Sequence, residues 1–315
     1  MNITYMSKKS MYSPFAHFSV CGNMLLVILL ILFIVVLLRY MTSGYENKEG
    51  FQQKDMVVLK EGQDLYDGFY TDIYDQLAFN YVKNDYEVGE IILSTKPTTQ
   101  SKILDIGSGT GHHVGLFTSQ KLNATGIDLS EFMVKKAKEN YPDSKFIHGD
   151  ALNAQMFSPN SFTHITCLYF GIYYMKNKQQ FFSNCFKWLM SGGNLVVHIV
   201  DRDMFDPILP PANPFIIVSP QKYAKERITQ SNITFDNMKY KANFDLQPNS
   251  DVAVFNEKFE GNDGKVRKQK HRFHMESDKD IVAMAQQTGF VLEGKIDLIK
   301  VGYEYQYLYI FRKPN

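Results

Sequence analysis

The sequence predicts an α/β fold: a mostly parallel sheet wrapped by helices, followed by an antiparallel β segment. Three observations lead there. Between Lys102 and Val200, short apolar runs alternate with segments of helical period, the pattern of successive βαβ units. The first run breaks into Gly107-Ser108-Gly109-Thr110-Gly111, a turn whose bare backbone can bend tightly and approach a ligand closely. From Asn232 to Met275 the period becomes that of consecutive strands, with "GNDG" as a hairpin signal between 252–260 and 265–275.

The N-terminus stands apart from this pattern. Residues 1–19 form a tail. Met24 to Leu38 contains no polar residue, and with Val20 to Asn23 it approaches the roughly 20 residues that cross a bilayer. Residues 20–40 are therefore expected to be an uncleaved single-pass anchor, apolar on every face. A cleaved signal peptide is the rival reading, but no small-residue cleavage site follows Leu38. Residues 41–60 are polar, contain Gly44 and Gly50, and read as a linker to a domain spanning 61–315.

Within that domain the expected strands are 102–107, 124–128, 145–150, 162–170 and 194–201. The expected helices are 113–122, 130–140 with Ser130 as N-cap, and 178–190 ended by Gly192 or Gly193. After the segment 201–276, a helix over 278–288 closes at Gly289, and strands near 290–299 and 304–312 end the chain. A net charge of +1 over 315 residues gives no reason to expect a nucleic-acid partner. The three cysteines match neither a disulfide framework nor a metal site, which suits a reducing compartment.

The glycine turn is G-x-G-x-G. A dinucleotide fingerprint would need a third glycine at His112, and a phosphate loop would need a lysine. Three acids accompany it. Asp105 precedes the turn, Asp128 ends the second strand 21 residues after Gly107, and Asp150 ends the third. A carboxylate at Asp128 can accept both ribose hydroxyls, and one at Asp150 can accept an exocyclic amine. The alternative is that these acids only cap helices and turns.

"ILDIGSGTG", "GIDLS", "FIHGDA" and "ITCLYFGIYYM" resemble, in order, the motifs of class I S-adenosylmethionine-dependent methyltransferases. The likeness runs from about Leu65 to the C-terminus and is strongest between Lys102 and Val200. It implies a Rossmann-like, seven-stranded sheet whose last strand is antiparallel, and S-adenosyl-L-methionine as cofactor. By resemblance, the loop with Gly107, Ser108, Gly109 and Gly111 passes under the methionine portion, Asp128 holds the ribose, and Asp150 with Ala151 flanks adenine. Leu168 and Tyr169 line the site, and Asp105 and Leu129 complete the expected set. The segment 201–276 resembles the acceptor-covering sheets of small-molecule enzymes. His164 departs from the family, which often has an acid there.

On the acceptor side, Tyr66, Tyr70 and Tyr74 recur four apart. Tyr66 and Tyr70 read equally as a lid over the cofactor or as packing, and Tyr74 as packing. Tyr173 and Tyr174 follow the fourth strand and are the other acceptor-side candidates. No catalytic base is assigned: His112 and His113 read as helix-start residues and His198 as a core histidine. The run Lys265, Arg267, Lys268, Lys270, His271, Arg272 reads as a solvated hairpin face, with anionic lipid heads as the other use. The expectation is a membrane-anchored methyltransferase with a cytosolic catalytic domain and a small-molecule or lipid-like acceptor. The rival is a catalytically silent scaffold of the same fold. Intact Asp105, Asp128 and Asp150 weigh against it.

Overall fold

The computed structural model describes residues 29–34, 57–208, 221, 224–247 and 249–315. The chain divides into two units, Met1–Lys54 and Asp55–Asn315. In the first unit, residues 29–34 are helical with exposed apolar side chains. The rest of the anchor expected over 20–40 lies outside the described residues. Among the described residues no helix is long and apolar enough to cross a membrane.

The second unit is built on two sheets. Its strands are β1 (Val57–Glu61), β2 (Lys102–Ile106), β3 (Asn123–Asp128), β4 (Lys145–His148), β5 (Phe162–Cys167), β6 (Leu189–Val200), β7 (Gln230–Thr234), β8 (Met238–Leu246), β9 (Val252–Gly261), β10 (Val266–His274), β11 (Val291–Asp297) and β12 (Gln306–Arg312). The larger sheet has the order β11-β12-β6-β5-β2-β3-β4. From β6 to β4 its strands are parallel, and β12 runs antiparallel to both its neighbours. Both faces are buried, which is why its strands are continuously apolar rather than alternating. In β6, Leu195, Val197 and Ile199 join one core cluster while Val196 joins the other; in β12, Tyr309 and Phe311 oppose Leu308 and Ile310.

The helices are α1 (Gly68–Ala78), α2 (Tyr81–Thr95), α3 (His112–Ser119), α4 (Glu131–Asn140), α5 (Lys178–Trp188) and α6 (Asp278–Gln287). Side-chain caps start most of them. Asp67 accepts from Tyr70 N, Asn80 from Lys83 N, Ser130 from Met133 N, Asn177 from Gln180 N and Ser277 from Asp280 N, each satisfying an otherwise unpaired first-turn amide.

The smaller sheet has the order β1-β10-β9-β8-β7, antiparallel except for the β1–β10 pair. It contains the hairpin expected at "GNDG", where Gly264 adopts a φ of 78°. Two expectations are corrected. The last residues of the expected linker, 57–60, instead form an edge strand with Glu61, because β10 offers them a free ladder. The helix expected to reach 190 ends at Trp188, because Leu189 already pairs with Phe162 of β5.

Candidate active site

The glycine turn joins β2 to α3. Gly107, Gly109 and Gly111 have φ values of 71°, 53° and 91°, a region that L side chains avoid. At Gly111 a Cβ would also sit 2.7 Å from Phe146 Cζ and 3.0 Å from Ala137 Cβ. The turn is braced from α1, where Asp75 accepts from the Thr110 hydroxyl at 2.6 Å. Asp128 closes it from the other side. Its Oδ2 accepts from Gly109 N at 2.9 Å and its Oδ1 from Ser130 N at 2.8 Å. Burial raises the Asp128 carboxyl, against the pull of the Ser130 and Gly109 amides.

A cavity of about 610 Å³ opens above this turn. Gly107, Gly109, Asp128, Leu129, Asp150, Ala151, Leu168 and Tyr169 are among its lining residues. Each oxygen of Asp128 keeps a lone pair beyond the backbone bond it accepts, so the carboxylate can still receive two ribose hydroxyls. Asp150 uses Oδ1 on Leu152 N. Tyr169 holds a φ of 53°, a strained value for a non-glycine. The buried His198 hydrogen-bonds its carbonyl and contacts Gln306 at 3.1 Å, so His198 is the satisfied core histidine expected. These residues fit an adenosine moiety at one end and a flexible charged tail over the glycines.

Three of the expected cofactor residues stand outside the cavity lining. Asp105 is buried beneath the turn and accepts from the Thr166 hydroxyl at 2.6 Å. Burial pushes its carboxyl up to about 6, against the influence of His113 and the Thr166 hydroxyl. Ser108 is buried against Gly126, and Gly111 against Phe146. All three shape the turn from below. His112 and His113 open α3 as expected. His112 Nδ1 lies 2.6 Å from the Tyr141 hydroxyl, and His113 Nε2 lies 2.9 Å from Glu87 Oε2. Burial pushes Glu87 up, but Lys83 at 2.6 Å and His113 outweigh it and hold the carboxyl at about 2.

Much of the remaining cavity lining is aromatic. Tyr66, Tyr70 and Tyr174 belong to it, and so does Tyr74, which sequence reasoning assigned to packing. Ring centroids of Tyr66 lie 5.4 Å from Tyr70, 6.1 Å from Tyr74 and 5.8 Å from Tyr174. Burial raises all four phenols well above their ordinary value. Tyr173 is corrected: it is fully buried, and its hydroxyl accepts from Val200 N at 2.8 Å, which turns it away from the cavity. Phe170, Phe205, Phe244, Phe255 and Phe273 complete the wall.

The hairpin run also needs correction. Lys268 and Arg272 are exposed as expected. Arg267, however, grips Asp67 through both its terminal nitrogens, at 2.9 and 3.0 Å. His271 is buried and faces the cavity. Its Nε2 lies 2.6 Å from Glu257 Oε2 and its Nδ1 2.7 Å from the Tyr174 hydroxyl. Sequence reasoning missed Glu257 altogether. The signal was present: Phe255, Glu257 and Phe259 alternate along β9, so they share one face.

Comparison with known proteins accords with this geometry. A family model described as methyltransferase domain matches residues 103–193. Residues 103–193 carry a methyltransferase domain. The chain is 24% identical over 120 residues to the dTDP-3-amino-3,4,6-trideoxy-alpha-D-glucopyranose N,N-dimethyltransferase of Streptomyces venezuelae, covering 37% of this chain and 49% of that one. It is 31% identical over 106 residues to the demethylmenaquinone methyltransferase of Renibacterium salmoninarum, covering 34% and 44%. The chain thus spans about half the length of the curated relatives it matches. An S-adenosylmethionine-dependent methyltransferase from Clostridium acetobutylicum shares the fold, with a TM-score of 0.59 and 17% identity over 78% of this chain and 98% of that one. Residues 103–193 supply Gly107, Gly109, Asp128 and Asp150 to the cavity together with Phe170 and Tyr174; Tyr66 and α1 supply three further tyrosines, and the smaller sheet supplies Phe244, Phe255, His271 and Phe273.

Proposed function

We propose that this chain transfers the methyl group of S-adenosylmethionine to a small-molecule acceptor. The observation that carries this is one continuous cavity lined both by Gly107, Gly109 and Asp128 and by tyrosine and phenylalanine rings. The sulfonium supplies an already activated methyl group. The chain's own task is to hold an acceptor atom in line with it, at roughly 3–3.5 Å, and to exclude water. The buried tyrosines and the sheet over them suit that task. The relatives named above act, by their names, on an amino sugar and on demethylmenaquinone, and both kinds of acceptor are small molecules. The apolar lining favours an acceptor with a largely apolar body.

The same reading places the enzyme at a membrane, held by residues 20–40, with its catalytic domain in the cytosol where the cofactor is made. The uniform apolar run from Met24 to Leu38 supports this. Calorimetry on the full-length chain tests the cofactor: S-adenosylmethionine binds and NAD does not. Transfer of a labelled methyl group into a metabolite extract tests the reaction. A chain that binds NAD and not the methyl donor refutes the proposal, and recovery of intact chain in the soluble fraction of cells refutes the anchor.

A further inference from the structure

The acceptor end of the cavity contains a continuous hydrogen-bonded chain that no cofactor contact requires. Tyr66 donates to the Tyr174 oxygen at 2.7 Å, and the Tyr174 hydroxyl lies 2.7 Å from His271 Nδ1. His271 Nε2 lies 2.6 Å from Glu257 Oε2. Glu257 also accepts from the Tyr240 hydroxyl at 2.6 Å and from Gln269 Nε2 at 3.1 Å. A carboxylate ringed by donors only accepts, so the proton of the imidazole lies on Nε2. That leaves the Nδ1 lone pair to receive from Tyr174. The chain of bonds therefore has one direction, from the cavity inward to a buried carboxylate.

We propose that Tyr66, Tyr174, His271 and Glu257 form a proton relay, and that the acceptor is a flat aromatic molecule whose hydroxyl gives its proton to that relay. This rests on the methyl-transfer reading above. Tyr66 links the turn to the aromatic lining: its carbonyl accepts from the hydroxyl of Ser130, whose amide bonds Asp128, and its own hydroxyl bonds Tyr174. Phenylalanine rings wall the space beyond it, and the described cations that line the cavity, Lys176 and Arg272, are exposed. That wall suits an aromatic body rather than a charged one. A neutral hydroxyl is a weak nucleophile until its proton leaves, which is the task this chain of bonds can perform.

The step balances as follows. The acceptor O–H proton passes to the Tyr66 oxygen, Tyr66 passes its own proton to Tyr174, and Tyr174 passes its own to His271 Nδ1. The imidazolium that results faces the Glu257 carboxylate. The freed oxygen pair forms the O–CH3 bond while the methyl–sulfur bond breaks, its pair staying on sulfur as a neutral thioether. Burial keeps Tyr66 and Tyr174 as phenols, so they pass the proton on rather than hold a charge. The titratable groups facing His271 are Tyr66, Tyr70, Tyr174 and Glu257; Phe255 and Phe273 cover the rest of the ring. His271 is the proton acceptor, and Glu257 is a positioning residue that fixes its tautomer.

The test uses 2-naphthol, whose anion has its own absorbance band, and the full-length chain loaded with S-adenosylhomocysteine. On the wild-type chain the anion should appear about one pH unit or more below its midpoint in free solution, a shift of the kind a nearby proton-accepting pair produces. His271→Gln keeps a donor for Glu257 but cannot take up a proton, and Tyr174→Phe interrupts the relay while keeping the ring. Both should lose the shift while binding S-adenosylhomocysteine as tightly as wild type, which also verifies their fold. Identical handling of all three chains cancels partition of the probe into detergent. A shift retained in either variant overturns the relay. Failure of 2-naphthol to bind a chain that binds S-adenosylhomocysteine overturns the aromatic acceptor and leaves methyl transfer standing. Failure to bind S-adenosylhomocysteine at all removes both.

Discussion

Replacing Asp128 by alanine removes the carboxylate that joins the glycine turn to the cofactor end of the cavity. In the wild-type chain its two oxygens accept from Gly109 N at 2.9 Å and Ser130 N at 2.8 Å. The same oxygens are the acceptors offered to the ribose. Hydrogen bonds to a charged group contribute about 1.5–3 kcal/mol, so loss of the ribose contact should weaken S-adenosylmethionine binding roughly 10- to 150-fold. Asp128→Asn retains one carbonyl oxygen and should lose less. Calorimetry with S-adenosylmethionine measures the affinity, and a thermal melt separates loss of the ligand contact from loss of the turn itself. If Asp128→Ala folds and binds the methyl donor as tightly as wild type, the ribose lies elsewhere and the role assigned to Asp128 is wrong.

Gly111→Ala forces a side chain onto a backbone with φ of 91° and places its Cβ 2.7 Å from Phe146 Cζ; left-handed strain plus overpacking should cost about 2–4 kcal/mol, read as a lower denaturant midpoint. Asp105 carries a folded value of about 6 against an ordinary 3.8. The folded state therefore binds more protons than the unfolded one between those values, and stability should fall by about 3 kcal/mol as pH rises through that window. Urea titrations from pH 4 to 7 should show this component flattened in Asp105→Asn, and an unchanged slope would exclude Asp105 as its source. Deleting residues 1–54 should leave the unit Asp55–Asn315 folded, with unchanged affinity for S-adenosylmethionine in calorimetry; a truncated chain that precipitates or loses the ligand would show that the first unit supports the second.

What the sequence determined by itself is what short-range pattern encodes. The apolar run over 102–106, the glycine turn and the Ser130 cap are local, and each produced its element where expected, because strand period, positive φ and an N-terminal capping oxygen act within a few residues. Asp128 and Asp150 were legible for the same reason: in a βαβ fold, the residues at successive strand ends converge on one edge of the sheet. What only the tertiary structure decided is which side chains share a chamber. The hairpin run read as a basic surface because its charges are adjacent in sequence, yet the pleat leaves Lys268 and Arg272 exposed and buries His271. Tyr74 and Tyr173 exchanged roles because each depends on a neighbour far along the chain: the open cavity beside Gly109 for the first, and the backbone of Val200 for the second. The Tyr66, Tyr174, His271 and Glu257 chain spans partners up to 108 residues apart. No local periodicity reports such a juxtaposition, because it is created by packing the antiparallel sheet over the cofactor turn.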